Sequence, residues 1–122
     1  MKNIQRVATF EEACLQTGKP EIIDLSVFPE ELREYMYAQY KMCVITEALN
    51  NGWKADWTDS KQKKFIPWFY NVASSGFVFD DTDYDLSTAY SGYSSRLCFR
   101  YSATAEYAGR QFLDIWKTII LG

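Results

Sequence analysis

The sequence predicts a single α+β domain, in which a short N-terminal helix, a long second helix and a C-terminal helix pack against a small antiparallel sheet of about three strands. Apolar residues recur at helical spacing towards both ends of the chain, whereas the middle is dense in aromatic and β-branched residues of the kind that strands favour. The length of 122 residues is typical of one domain. We therefore expect residues 1–122 to fold around one core.

The two ends of the chain are predicted helices. Thr9 and Glu12 have the spacing of a capping box, in which each side chain satisfies a free amide at a helix start, and Gly18 suits the end of such a helix. This pattern predicts a first helix over residues 10–17. Ser102 is the expected cap of the last helix. The apolar residues that follow it keep helical spacing: Ala105, Ala108, Phe112, Ile115, Trp116 and Ile119.

The long second helix is predicted between two clear signals. Pro29 suits a first helical turn because its missing amide hydrogen has no partner there, and Asn51-Gly52 favours a left-handed stop. The span between them is about 22 residues. A wide apolar arc on this helix predicts contact with a sheet on one side and a helix on the other. The main stripe is expected at Leu32, Met36, Tyr40, Cys43 and Ala48, widened by Tyr37, Val44 and Ile45.

Two strands and a turn are expected after this helix. Residues 65–72 are rich in aromatic and branched side chains, but Pro67 cannot donate a ladder hydrogen bond, which points to an edge strand or a bulge. Ser-Ser-Gly at residues 74–76 is a predicted turn, and the next strand begins at Phe77.

A third strand is predicted over residues 96–101, where apolar and polar residues alternate. Leu97 and Phe99 then lie on one face, and Cys98 lies on the other with the arginines. The expected core joins the strand residues Phe65, Phe69, Phe77, Phe79, Leu97 and Phe99 to the helix residues Met36, Cys43, Phe112 and Trp116.

Composition argues against several classes of function. The chain has no histidine, which removes the usual general base and most catalytic triads, so we expect no enzymatic activity and no cofactor. A net charge of −3 disfavours a polyphosphate partner. The longest apolar run is residues 119–121, whereas a membrane span needs about 20 apolar residues.

Two further expectations concern the cellular setting. The first six residues carry charge with no apolar stretch behind them, so no secretory signal is expected and a cytoplasmic location is predicted. Cys14, Cys43 and Cys98 are far apart and have apolar neighbours, which favours reduced thiols that pack as small apolar groups.

Asp81, Asp83 and Asp85 have the alternating spacing that opens a calcium loop. The rest of that motif fails, because Leu86 stands where a glycine is required and Gly92 stands where a bidentate glutamate closes the shell. We therefore expect solvated carboxylates rather than a metal site.

The leading functional hypothesis is a non-enzymatic protein-interaction module. Residues 80–95 are a predicted connection between strands, rich in Tyr, Ser, Asp and Gly, and tyrosine brings large contact area at low entropy cost. A long connection of this kind is either functional or disordered. The expected partner-binding residues are Tyr84, Tyr90 and Tyr93 of this segment, together with Trp57. A homodimer is also compatible with an edge strand that carries Pro67.

The alternative hypothesis is a single-stranded nucleic-acid-binding protein. Cationic and aromatic side chains together form the kind of surface on which bases stack, although solvent-facing charges of a half-buried sheet explain the arginines equally well. The candidate cationic residues are Lys61, Lys63, Lys64, Arg96 and Arg100.

Four strings carry a resemblance to a known family: EALNNGW (47–53), PWF (67–69), SRLCF (95–99) and EYAGRQF (106–112). The chain from the second helix onward resembles small proteins of uncharacterised activity carried by phages, prophages and other mobile elements of gut Bacteroidetes. The resemblance implies a phage or mobile-element setting in a bacterial host. It implies no activity and no binding residues.

Overall fold

The computed structural model describes residues 7–86 and 96–122. Helices and strands together confirm the α+β prediction. In chain order the elements are α1 (Phe10–Thr17), α2 (Glu30–Asn50), β1 (Lys64–Val72), β2 (Gly76–Asp85), α3 (Ser102–Gln111) and α4 (Leu113–Leu121). Tyr90 and Tyr93 lie outside the described residues.

The predicted caps fix both ends of α1. The Thr9 hydroxyl accepts a hydrogen bond from the Glu12 amide at 3.1 Å, and the Glu12 carboxylate accepts one from the Ala8 amide at 2.7 Å. Gly18 then adopts the left-handed conformation, with φ of 76°. The prediction of a helix over residues 10–17 is confirmed.

The long helix α2 is confirmed, and its buried face matches the predicted one only in part. Leu32 is 44% exposed, and Met36, Tyr40 and Cys43 are only partly buried. Val44, Ile45 and Ala48 are buried as predicted, and the core also receives Ala38, Met42, Thr46 and Leu49. The apolar arc is wide enough for either set of side chains to be buried, and the packing of α1 and α4 against α2 selects the observed set.

The strands β1 and β2 form an antiparallel hairpin with Gly76 at φ of 75° where β2 begins. The register shifts between Trp68 and Phe69, because Trp68 pairs with Asp81 whereas Phe69 pairs with Phe79. Asp80 is therefore the extra residue of a bulge. Pro67 lies beside this bulge on an edge strand, as predicted.

The sheet has two strands in the described ranges, so the prediction of a third over residues 96–101 is wrong. Phe99 forms a single antiparallel bridge with Phe65, through hydrogen bonds of 2.8 and 2.9 Å. Pro67 has no amide hydrogen with which to extend this pairing, and α3 begins directly after Tyr101. On the other edge of the 96–101 segment, the Asn50 side chain donates a hydrogen bond to the Cys98 carbonyl and accepts one from the Arg100 amide.

The predicted connection at residues 80–95 is also shorter than expected, because β2 continues to Asp85. The C-terminal helix is divided in two at Phe112, whose φ of −114° and ψ of 37° lie outside the helical region. The Ala108 carbonyl accepts both the Phe112 amide and the Trp116 indole N–H, each at 3.2 Å. Ser102 is the first residue of α3 rather than its cap.

One core joins these elements. Helix α3 packs on the hairpin, α4 packs on α2, and α1 covers the other side of α2. The Tyr107 hydroxyl and the Gln111 amide donate to the Val7 and Ala8 carbonyls, both at 2.9 Å, which ties the N-terminal segment to α3. Among the largest fully buried side chains are Phe99, Met42, Ile45 and, unexpectedly, Lys64.

Candidate functional site

The face of the hairpin that points away from α3 carries a row of exposed and half-buried apolar side chains, which we call the outer face: Ile66, Trp68, Tyr70, Val72 and Val78. Alternation along β1 sends Phe65 and Phe69 inward, where Phe69 packs against Phe77 and Trp116. The same alternation leaves Trp68 53%, Tyr70 55% and Val72 42% exposed. An exposed row of this kind is typical of an interaction surface.

Carboxylates line the β2 side of the outer face. The register places Asp83 opposite Ile66 and Asp81 opposite Trp68, and directly paired residues share a face of the sheet. Asp80 is exposed at the bulge. In the described part of the chain, neither of the two salt bridges involves these aspartates. The outer face therefore combines apolar area with negative charge.

Lys64, the first residue of β1, is buried and contacts Trp57. The Lys64 side chain is 0% exposed, and its ammonium donates to the Asp59 and Gln62 carbonyls at 3.2 and 3.1 Å. The same ammonium lies 5.0 Å from the centre of the Trp57 ring, a cation–π contact. Lys64 thus holds the 59–62 turn together and is not a surface charge, and Trp57 is partly buried beside it.

Tyr84 keeps an exposed ring, as the sequence predicted for a partner-binding residue. It is 45% exposed, packs edge-on against Phe65 with ring centres 5.6 Å apart, and has the Lys63 ammonium 4.8 Å above it. Tyr84 lies within β2 instead of in a loop.

The remaining cationic candidates lie in separate surroundings. Lys61 is exposed in the turn before β1, and Arg100 stacks on Tyr101 at 5.1 Å. Arg96 lines a cleft between α1 and α2. The structure therefore places Lys63 beside an exposed tyrosine but does not gather all five predicted cations on one surface.

The cysteines are free thiols whose pKa values are raised. Burial raises the pKa of Cys98 to about 11, and the nearby Lys64 ammonium only partly opposes this. Burial also raises the pKa of Cys14 and of Cys43. A thiol that holds its proton is a poor nucleophile. Cys14 and Cys98 are buried and Cys43 is partly buried.

Acidic side chains do not assemble into a metal centre in the described ranges. Asp81 and Asp83 accept hydrogen bonds from the amides of the following residues, at 2.8 and 2.7 Å. No group of three potential ligands lies together among residues 7–86 and 96–122.

The outer face was missed at the sequence level. The pattern Ile66, Trp68, Tyr70 could have revealed it, because a strand that is apolar at both alternating sets of positions must leave one set exposed unless both faces are covered. In this two-stranded sheet the helices pack on one side, and the second face is covered at Lys64 by Trp57 and the 59–62 turn but stays exposed at Trp68, Tyr70 and Val72.

Comparisons with known proteins identify no relative of this chain. A scan against protein-family models finds no match, and searches of curated proteins and of solved structures find no similar protein. Within the described part of the chain, no helix has both the length and the apolar character needed to cross a membrane.

Proposed function

We propose that this protein is a non-enzymatic interaction module that binds a partner protein through the outer face of its hairpin. The observation that carries this proposal is the row of Trp68, Tyr70 and Val72, which are roughly half exposed on the face of the sheet that points away from α3. Tryptophan and tyrosine are the residues that most often dominate the energy of an interface.

Charge defines the class of partner. Asp80, Asp81 and Asp83 border the apolar row on the β2 side. A basic segment with interspersed apolar side chains matches both features, since opposite charges steer the encounter and apolar groups cover the rings. A second copy of the same face would oppose the carboxylates to themselves, so we propose a different chain as the partner instead of a symmetric homodimer.

The tyrosine-rich segment after β2 extends this proposal. Tyr84 stands at the end of β2 with an exposed ring, and Tyr90 and Tyr93 follow it in the sequence. Tyr84 pairs with Phe65 and so lies on the opposite face of the hairpin from the outer face. We propose that these tyrosines form a second contact region beside the outer face. A phage or mobile-element partner in a bacterial cytoplasm is the setting that the family resemblance suggests.

Selection from a random peptide library tests the proposal, because it requires only the wild-type protein as bait and not an identified partner. The wild type is expected to enrich peptides that combine lysine or arginine with apolar residues. The variant Trp68→Thr/Tyr70→Thr retains strand propensity and loses the rings, so we expect it to bind the enriched peptides at least about tenfold more weakly.

A matched control is Leu15→Gln, which removes an apolar side chain that is 83% exposed on α1. It should bind the selected peptides as the wild type does, and circular dichroism should show all three proteins folded. Enrichment of acidic peptides, equal binding by the ring-deficient variant, or no enrichment at all would each refute the proposal.

Single-stranded nucleic acid is the second candidate ligand. Two exposed cation–aromatic pairs favour it, Lys63 on Tyr84 and Arg100 on Tyr101, because such pairs can stack on bases and contact phosphates. Oligonucleotide titration at low salt should then show binding that weakens in Lys63→Ala/Arg100→Ala. No binding below about millimolar would remove this candidate, since electrostatic binding is strongest at low salt.

A further inference from the structure

A cleft of about 640 Å³ opens between the carboxyl ends of α1 and α2 and the segment that follows α2. Its volume is in the range of small-molecule sites. It shares no lining residue with the outer face, so it is independent of the proposed protein interface. The residues that define its chemistry are Lys19, Glu47, Trp53, Lys54 and Arg96.

The cleft is positively charged although the whole chain is negative. Three cationic side chains line it against one carboxylate. Lys19 is paired with that carboxylate, Glu47, at 3.1 Å, whereas Lys54 is exposed and forms no ion pair within the described residues. The Arg96 guanidinium is close enough to Cys43 to oppose the rise in its thiol pKa that burial causes.

The two helix ends do not cancel this charge. A helix carboxyl end carries partial negative charge from its free carbonyls. Here the Ala48 carbonyl accepts the Gln16 amide at 2.8 Å, and the Glu47 carbonyl accepts the Asn51 amide at 3.2 Å. Because these carbonyls already have donors, the cationic side chains dominate the polar chemistry of the cleft.

Thr46 lines the cleft, but its hydroxyl is buried beneath the surface that a ligand can reach. Thr46 is 1% exposed, and its Oγ1 is the buried side-chain polar atom of the described residues that lacks a hydrogen bond. The partly buried Trp53 ring, which also lines the cleft, can cover a flat group.

We propose that this cleft binds a small organic anion, a flat ring that carries a carboxylate or a phosphate. Lys54 and Arg96 contact the anionic group, and Trp53 covers the ring. Carboxylate and phosphate share the chemistry that the cations recognise.

Nuclear magnetic resonance titration of the ¹⁵N-labelled protein tests this with three probes that share a ring: naphthoate, naphthyl phosphate and uncharged naphthol. Both anions are expected to shift the amide signals of residues 46–55. Naphthol is expected to bind at least about tenfold more weakly, because it lacks one charge-assisted hydrogen bond. The tighter anion identifies the headgroup.

Variants separate binding from folding. Lys54→Gln removes an exposed charge and should weaken the preferred anion about tenfold, whereas Lys117→Gln, an exposed lysine of α4 outside the cleft, should leave affinity unchanged. Absence of binding below about millimolar, equal binding of naphthol, or equal effects of the two lysine variants would overturn the proposal.

Discussion

Cys98 shows how one side chain couples the fold to pH. It is 0% exposed, and burial raises its pKa from the ordinary value of 9.0 to about 11. Between these values the unfolded chain loses the thiol proton and the native state keeps it. The unfolded state then binds fewer protons, so the free energy of unfolding falls as pH rises through this window.

We therefore predict a stability loss of about 2–3 kcal/mol from Cys98 alone between about pH 9 and 11. Burial also raises the pKa values of Tyr37 and Tyr40, so those groups act in the same direction. Urea denaturation of the wild type and of Cys98→Ala across this range separates the contributions. The difference in stability between the two proteins should shrink as pH rises, and a constant difference would contradict the prediction.

The surroundings of Lys64 and Cys98 could not be predicted from the local sequence. Alternation placed Cys98 on the face with two arginines, whereas its apolar neighbours predicted a buried thiol, and Lys64 was grouped with the surface cations. Both are fully buried, because the turn at residues 59–62 supplies carbonyls for the ammonium and Asn50 holds the backbone around Cys98. The contact between Asn50 and Cys98 joins distant parts of the chain, and no local pattern encodes it.

At the scale of elements, the contact between α3 and the hairpin depends on one glycine. A Cβ added at Gly109 would lie 2.6 Å from the Phe79 ring and 3.0 Å from the Pro67 Cβ. Phe79 is itself held under the Arg110 guanidinium at 4.6 Å. A helix normally gains stability when glycine becomes alanine, whereas this close approach predicts the opposite sign.

Gly109→Ala is expected to lower the free energy of unfolding by about 1–2 kcal/mol, because overpacking outweighs helix propensity. Chemical denaturation of the single variant and of Gly109→Ala/Phe79→Leu checks the mechanism. The smaller leucine should recover part of the loss. A more stable single variant would show that α3 can move away from the hairpin at no cost.

The ends of helices were predicted well where caps or glycines mark them. The ends of strands, which depend on backbone pairing with another segment, were predicted poorly. Thr9, Gly18 and Asn51 fixed the ends of α1 and α2. By contrast, the length of β2 and the single bridge at Phe99 depend on which backbone groups find partners across the chain. Strand pairing is non-local, so periodicity alone overestimated the sheet.

At the scale of the whole molecule, the net charge of −3 hides two surfaces of opposite sign. The outer face carries Asp80, Asp81 and Asp83, whereas the cleft carries an excess of cations that includes Lys54 and Arg96. The sequence alone reveals only the sum, which argued against a polyphosphate ligand anywhere. The fold separates the charges, so a basic partner and an anionic ligand can each have a site.

The two chain ends are held in one cooperative unit by the Tyr107 hydroxyl, which donates to the Val7 carbonyl at 2.9 Å across 100 residues of sequence. Tyr107→Phe should lower the free energy of unfolding by about 1 kcal/mol. Thermal melts followed by circular dichroism and by tryptophan fluorescence should shift together, because one core unfolds as a unit. Tyr70→Phe, which removes a hydroxyl from a side chain that is 55% exposed, should change stability by less than about 0.5 kcal/mol. Separation of the two melting curves in Tyr107→Phe would show instead that the N-terminal segment unfolds on its own.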